Sequence, residues 1–119
     1  MTDVLRITPI VPSQNPIATK KFLIDLFGFD VQSESANYIE LEIGFSYIAI
    51  KKARTEPIQQ SVYIEVKEID ELWEAKREML SRYKVRELFI QSYGMKEFHV
   101  VAPETRTLLF VGEPYDTSA

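Results

Sequence analysis

No cysteine occurs anywhere in the chain, which excludes disulfides, zinc–thiolate sites, iron–sulfur clusters and cysteine nucleophiles. Histidine occurs once, as His99, so one chain cannot assemble a metal centre that needs two imidazoles. Long apolar runs are missing as well: nothing approaches the roughly 20 residues that a membrane span requires. The opening Met1-Thr2-Asp3-Val4-Leu5-Arg6 has neither the basic nor the apolar region of a signal peptide, so a cytoplasmic protein with no membrane partner is expected. An excess of basic charge is also lacking. A net charge of −4 has the wrong sign for a phosphate-binding face, and no nucleic-acid partner is expected. Lys51-Lys52 and Lys76-Arg77 read as solvated faces, since no aromatics interleave with them for base stacking.

What remains is a globular composition, 45% apolar and 27% charged, in 119 residues, enough for one domain with its own core. Within it one pattern runs twice. Ile7-Thr8-Pro9-Ile10-Val11-Pro12 leads through Asn15-Pro16 into an apolar helix ending at Leu26-Phe27-Gly28-Phe29, and Ser61-Val62-Tyr63-Ile64-Glu65-Val66 leads into a second amphipathic helix. Each helix is followed by three short strand-like runs. The expected fold class is α+β: two βαβββ modules, residues 1–52 and 60–113 of a single domain 1–119, forming a curved mixed sheet of half-barrels around a concave cleft. The helices lie on the outer face.

Local signals place the elements. Residues 4 to 12 alternate as a strand, Asn15 suits an N-cap and Pro16 a first turn. Ile17, Phe22, Leu23, Leu26 and Phe27 give the first helix its apolar stripe, and Gly28 ends it. Strands are expected over Phe29–Ser33, Tyr38–Ile43, Phe45–Lys51, Ser61–Val66, Val85–Gln91, Gly94–Val101 and Thr107–Val111. Ile69, Leu72, Trp73, Met79, Leu80 and Tyr83 form the stripe of the second helix, which assigns the only tryptophan to the core. A frayed tail is expected from Pro114 onward.

Two of these stretches carry a family resemblance. Ile7 to Ile10, then Phe22 through Phe27-Gly28-Phe29, is similar to the opening of the vicinal oxygen chelate superfamily, an Ile-x-Pro-Ile strand and a helix ending in Phe-x-x-x-Leu-Gly-Phe. Gly94-Met95-Lys96-Glu97-Phe98-His99-Val100-Val101-Ala102-Pro103-Glu104-Thr105 resembles its closing pattern, except that Ala102 and Thr105 replace aspartate and glycine. Threonine tolerates positive φ poorly, so that turn is where the geometry should differ. The superfamily includes glyoxalase I, extradiol dioxygenases and bleomycin-resistance proteins, and the resemblance is greatest to the metal-free bleomycin-resistance branch. It implies a homodimer. Metal-dependent members carry ligands on the first and last strands of each half, and by this match those places hold Pro9, Ser61, a residue near Tyr47 or Ala49, and Leu109. Such side chains do not make a metal centre, which generally needs about three protein ligands. No cofactor is expected, and metal-dependent lyase or dioxygenase activity is excluded on these residues.

Strand alternation then assigns the cleft. With Ile39, Leu41, Val62, Ile64, Phe98 and Val100 turned to the helices, the opposite face receives Tyr38, Glu40, Tyr47, Tyr63, Glu65, Glu97 and His99. Tyrosines offer stacking area with a polar tip. At an effective dielectric near 20, a carboxylate about 4 Å from a cation contributes roughly 4 kcal/mol before desolvation. The face therefore suits a cationic aromatic small molecule. Glu97 and His99 are same-face neighbours whose spacing, roughly 6–7 Å, is too long for a tight pair. The leading expectation is sequestration of a small molecule without catalysis, and no catalytic residue is assigned. The alternatives are a metal-independent enzyme using His99 with Glu97 or Glu65 as acid–base groups, and a dimeric accessory module with no ligand of its own.

Overall fold

The structure is a computed structural model and describes residues 2–115. Its order of elements is β1 (Ile10–Ser13), α1 (Pro16–Phe27), β2 (Asp30–Glu34), β3 (Tyr38–Ile43), β4 (Ser46–Lys52), β5 (Gln60–Glu65), α2 (Ile69–Leu80), β6 (Val85–Ile90), β7 (Met95–Val101) and β8 (Thr107–Pro114). These make two four-stranded mixed sheets, ordered β1-β4-β3-β2 and β5-β8-β7-β6, neither closed into a barrel. The expected doubling is therefore present strand for strand, with the first strand of each repeat parallel to the last. The chain divides into two compact units, the first running to Ile58 and including Pro103–Arg106, the second comprising Gln59–Ala102 and the chain from Thr107. The frayed tail expected beyond Pro114 falls, except for Tyr115, outside the described residues.

In the first unit Val11, Phe22, Leu23, Leu26, Ile39, Leu41, Ile48 and Ile50 are buried together between α1 and its sheet. The Asn15 side chain accepts from the Ala18 N–H, Pro16 opens α1, and Gly28 closes it at φ 81°, donating its N–H to Ile24 O. Two expectations are corrected here. Ile17 is exposed, and the helix face it was assigned to is completed by Thr19, whose hydroxyl donates to Pro103 O at 2.8 Å and lies 2.7 Å from Ser13 Oγ. The first strand starts at Ile10 rather than at residue 4, because Pro9 has no N–H for the ladder and contributes only its carbonyl, to Ala49 N. In the last turn, positive φ falls on Glu104, at 65°, and not on Thr105. Proline followed by a left-handed residue is the order of a type II turn, so Thr105 is not required to take a positive φ there.

In the second unit Ile69, Leu80, Phe98, Val100, Leu109 and Val111 are buried under α2, with Trp73 tilted on Phe98 at 5.3 Å between ring centroids. The N-terminus of α2 has no side-chain cap of its own, since Glu68 stands there in the left-handed conformation. Glu113 of β8 takes over. Its two carboxylate oxygens accept the N–H groups of Glu68 at 2.7 Å and Ile69 at 3.2 Å, and an acid at that position also suits the helix dipole. Lys96 of β7 reaches Asp70 in the first turn at 2.6 Å. These apolar side chains occupy one face of the sheet and leave its other face to the residues that alternate with them.

Candidate functional site

Strand register arranges the free face of the second sheet in rows. Arg86, His99, Phe110 and Tyr63 stand opposite one another across β6, β7, β8 and β5, and the next row is Phe89, Glu97, Gly112 and Glu65. Residues directly paired across strands point to the same side. Arg86 and Phe89 are three positions apart and ought to face opposite ways. A bulge in β6, where Glu87 and Leu88 oppose the single residue Phe98, brings both onto this face.

At the centre is Glu97, with no solvent exposure at all. His99 Nε2 lies 2.8 Å from its Oε1 and Gln91 donates to the same oxygen at 3.3 Å, while the Tyr63 and Tyr93 hydroxyls donate to Oε2 at 2.8 and 2.6 Å. Burial pushes the carboxyl toward its neutral form, but the hydrogen bonds from His99, Tyr93, Tyr63 and Gln91 outweigh it and hold the pKa below its ordinary value. The phenols respond in the opposite sense. Tyr63 is raised above the usual tyrosine range by burial and then by its bond to Glu97, and Tyr93 is raised chiefly by its own bond to Glu97.

Gly112 is what lets Tyr63 reach. A Cβ at that position would stand 2.0 Å from the Tyr63 hydroxyl oxygen and 3.0 Å from Glu97 Cγ, so the phenol crosses β8 through the space a side chain would fill. Around the carboxylate the rings form a floor. The His99 and Phe110 centroids are 4.1 Å apart, Phe89 meets His99 edge-on at 5.0 Å, and Tyr63 stacks on Phe110 at 6.2 Å.

Of the residues expected on the cleft face, Tyr63, Glu65, Glu97 and His99 thus share one side of the second sheet. Glu97 and His99, expected to be too far apart for a tight pair, are hydrogen-bonded, because their side chains lean toward each other along β7. Tyr38, Glu40 and Tyr47 belong to the first unit. There Arg6, on the segment before β1, lies 4.2 Å over the Tyr47 ring and 3.4 Å from Glu40, while Tyr38 is partly exposed. The expectation of a cationic ligand loses two of its three carboxylates in this way, since Glu97 is satisfied by its neighbours and Glu40 by Arg6. Glu65 is exposed and has no ion-pair partner among the described residues.

Leu109, assigned to a ligand position from the sequence, is buried on the helix side, so its neighbours Leu108 and Phe110 represent β8 on the free face. Gln91, Tyr93, Phe89, Phe110, Gly112 and Arg86 were not anticipated. Gln91 and Tyr93 belong to the turn between β6 and β7, where alternation gives no face, and the bulge puts Phe89 and Arg86 on one side. Only the Phe98–His99–Val100 alternation pointed toward Phe110, its partner across β8. A cavity of about 460 Å³ lies beside α2, lined by Trp73, Arg77, Glu78, Ser81, Val85 and Glu87, and shares no residue with this network.

No protein-family model matches the chain, and no curated protein matches it in sequence. Solved structures do match in fold. A bleomycin resistance determinant encoded on the transposon Tn5 superposes with a TM-score of 0.77 at 20% identity, over 95% of this chain and 98% of that one. A bleomycin-binding protein complexed with bleomycin gives 0.76 at 18%, over 94% and 98%. A lactoylglutathione lyase from Agrobacterium tumefaciens gives 0.75 at 13%, over 95% and 96%. The chain therefore has the fold expected from its opening and closing patterns.

Proposed function

We propose that this protein binds a flat aromatic small molecule on the free face of the second sheet, without a metal, and acts by holding it rather than converting it. The observation that carries the reading is the ring floor of Phe110, His99, Phe89 and Tyr63 packed around a carboxylate that its own neighbours satisfy. Aromatic surface held rigid by buried hydrogen bonds is preorganised for stacking, which lowers the ordering cost of binding. Neighbours in fold that bind bleomycin support a small-molecule role. Fold alone does not name the ligand.

Three observations support the metal-free part. Pro9 and Ala49 have no donor side chain, Leu109 is buried among apolar residues, and no group of three His, Asp or Glu placed to hold a metal occurs among the described residues. No helix among them is long and apolar enough to cross a membrane. The enzymatic alternative has His99 and Glu97 in contact, yet a carboxylate held below its ordinary pKa by four donors is a poor proton acceptor. As a dyad it could only orient the imidazole.

Glu65 supplies the one unpaired carboxylate of the face, at the edge of the ring floor, and would meet a cationic group on the ligand. Naphthylmethylammonium should then raise the melting temperature of the chelator-treated protein, by mass action amounting to about 2.7 kcal/mol at a hundredfold excess over Kd. Glu65→Gln should reduce the shift and its salt dependence. Glu74→Gln, on the exposed side of α2 beside Arg77, should leave it unchanged. No shift in the unaltered protein with this or the uncharged naphthyl methanol overturns the reading.

A further inference from the structure

We infer that the ligand of this face carries an anionic group as well, recognised by Arg86, so that the site selects a flat zwitterion; this rests on the reading just given. The bulge in β6 puts Arg86 on the same side as His99, its direct partner on β7, and lays its guanidinium 3.6 Å from the Phe89 ring centroid. Phe89 in turn meets His99 edge-on. A guanidinium stacked flat on an aromatic ring keeps its N–H edges free to pair with an oxyanion in two-pronged fashion. Arg86 has no ion pair among the described residues, although ion pairs do engage Arg6, Arg77 and Arg106.

The buried carboxylate explains why an anion is accepted so close by. Glu97 is surrounded by four donors and turned away from solvent, so its charge is spent inside the sheet. The row runs from an exposed cation at Arg86, past the largely buried His99 and the half-buried Phe110, to the exposed Tyr63, with the exposed Glu65 in the adjoining row. Three strand spacings of ~4.8 Å separate the ends, about 14 Å in all. That is the length of two or three fused or linked rings with a charged group at each end.

Calorimetric titration with naphthalene sulfonate and with uncharged naphthyl methanol tests this. The sulfonate should bind more tightly than the alcohol by about tenfold, the effect of one charge-assisted pair. Arg86→Gln should remove that advantage and leave the alcohol nearly unaffected, and Arg86→Lys should keep part of it. If the alcohol binds and the sulfonate binds no better, or binds as well to Arg86→Gln, Arg86 reads no anion and the inference falls while the aromatic site stands. If neither compound binds, the inference falls, and the aromatic site falls with it unless naphthylmethylammonium still binds.

Discussion

A carboxylate with no solvent contact must find its hydrogen bonds inside the protein or give up its charge. Glu97 finds them, and the sign of its pKa shift follows. The carboxyl titrates lower in the folded chain than in the unfolded one, so its contribution to stability is complete above the ordinary glutamate pKa of about 4.3. It is lost as pH falls through the depressed folded value. Glu97→Gln places an amide where two phenols and an imidazole direct protons, and should cost about 2–3 kcal/mol at neutral pH. The difference between variant and parent should begin to shrink below about pH 4, where the unfolded carboxyl takes up its proton, and should close only once the pH falls past the depressed folded value. Urea unfolding at pH 7 and pH 3.5 measures both. A gap of the same size at both pH values would mean that lost shape, and not lost charge, is responsible. At this scale the sequence was informative for Tyr63, Glu97 and His99, because Tyr63 alternates with the half-buried Val62 and Ile64, and Glu97 and His99 with the buried Phe98 and Val100. It was silent on Gly112, whose role is the space it leaves for a phenol from another strand.

Elements show the same division. Both helices, all eight strands and their order in the repeat follow from apolar periodicity and from glycine and proline punctuation, since these act over neighbouring residues. The bulge in β6 does not, because Val85-Arg86-Glu87-Leu88-Phe89-Ile90 breaks alternation without saying which residue is extra, and the extra residue is defined only against β7. The start of α2 is likewise non-local. Its cap comes from Glu113, forty-five positions from the Glu68 N–H it accepts. Glu113→Ala should remove roughly 1 kcal/mol, the usual value of an N-cap, and lower the melting temperature by about 4 °C. Circular dichroism melting measures it, and an unchanged midpoint would show that the Asp70–Lys96 pair seats the helix unaided.

For the whole molecule, we propose that a duplicated α+β fold presents one aromatic face that takes a small molecule with no metal between them. The repeat and the fold were legible because the pattern occurs twice and each half is internally consistent. The charge character was not, since pairing of Glu40 by Arg6 and of Glu97 by Tyr63 joins residues 34 positions apart, and Tyr93, though close to Glu97 in sequence, lies in a turn where alternation assigns no face. His99 is the only histidine, so its ring protons report on the centre of the face without ambiguity. The most direct measurement is therefore an NMR titration of the chelator-treated protein with naphthyl methanol, following those signals. The expected result is a saturable upfield movement of the His99 ring protons as the aromatic stacks on the floor, unchanged when zinc or manganese is withheld or supplied. His99 signals that stay still while the ligand binds elsewhere, or that move only after metal is added, would contradict the account.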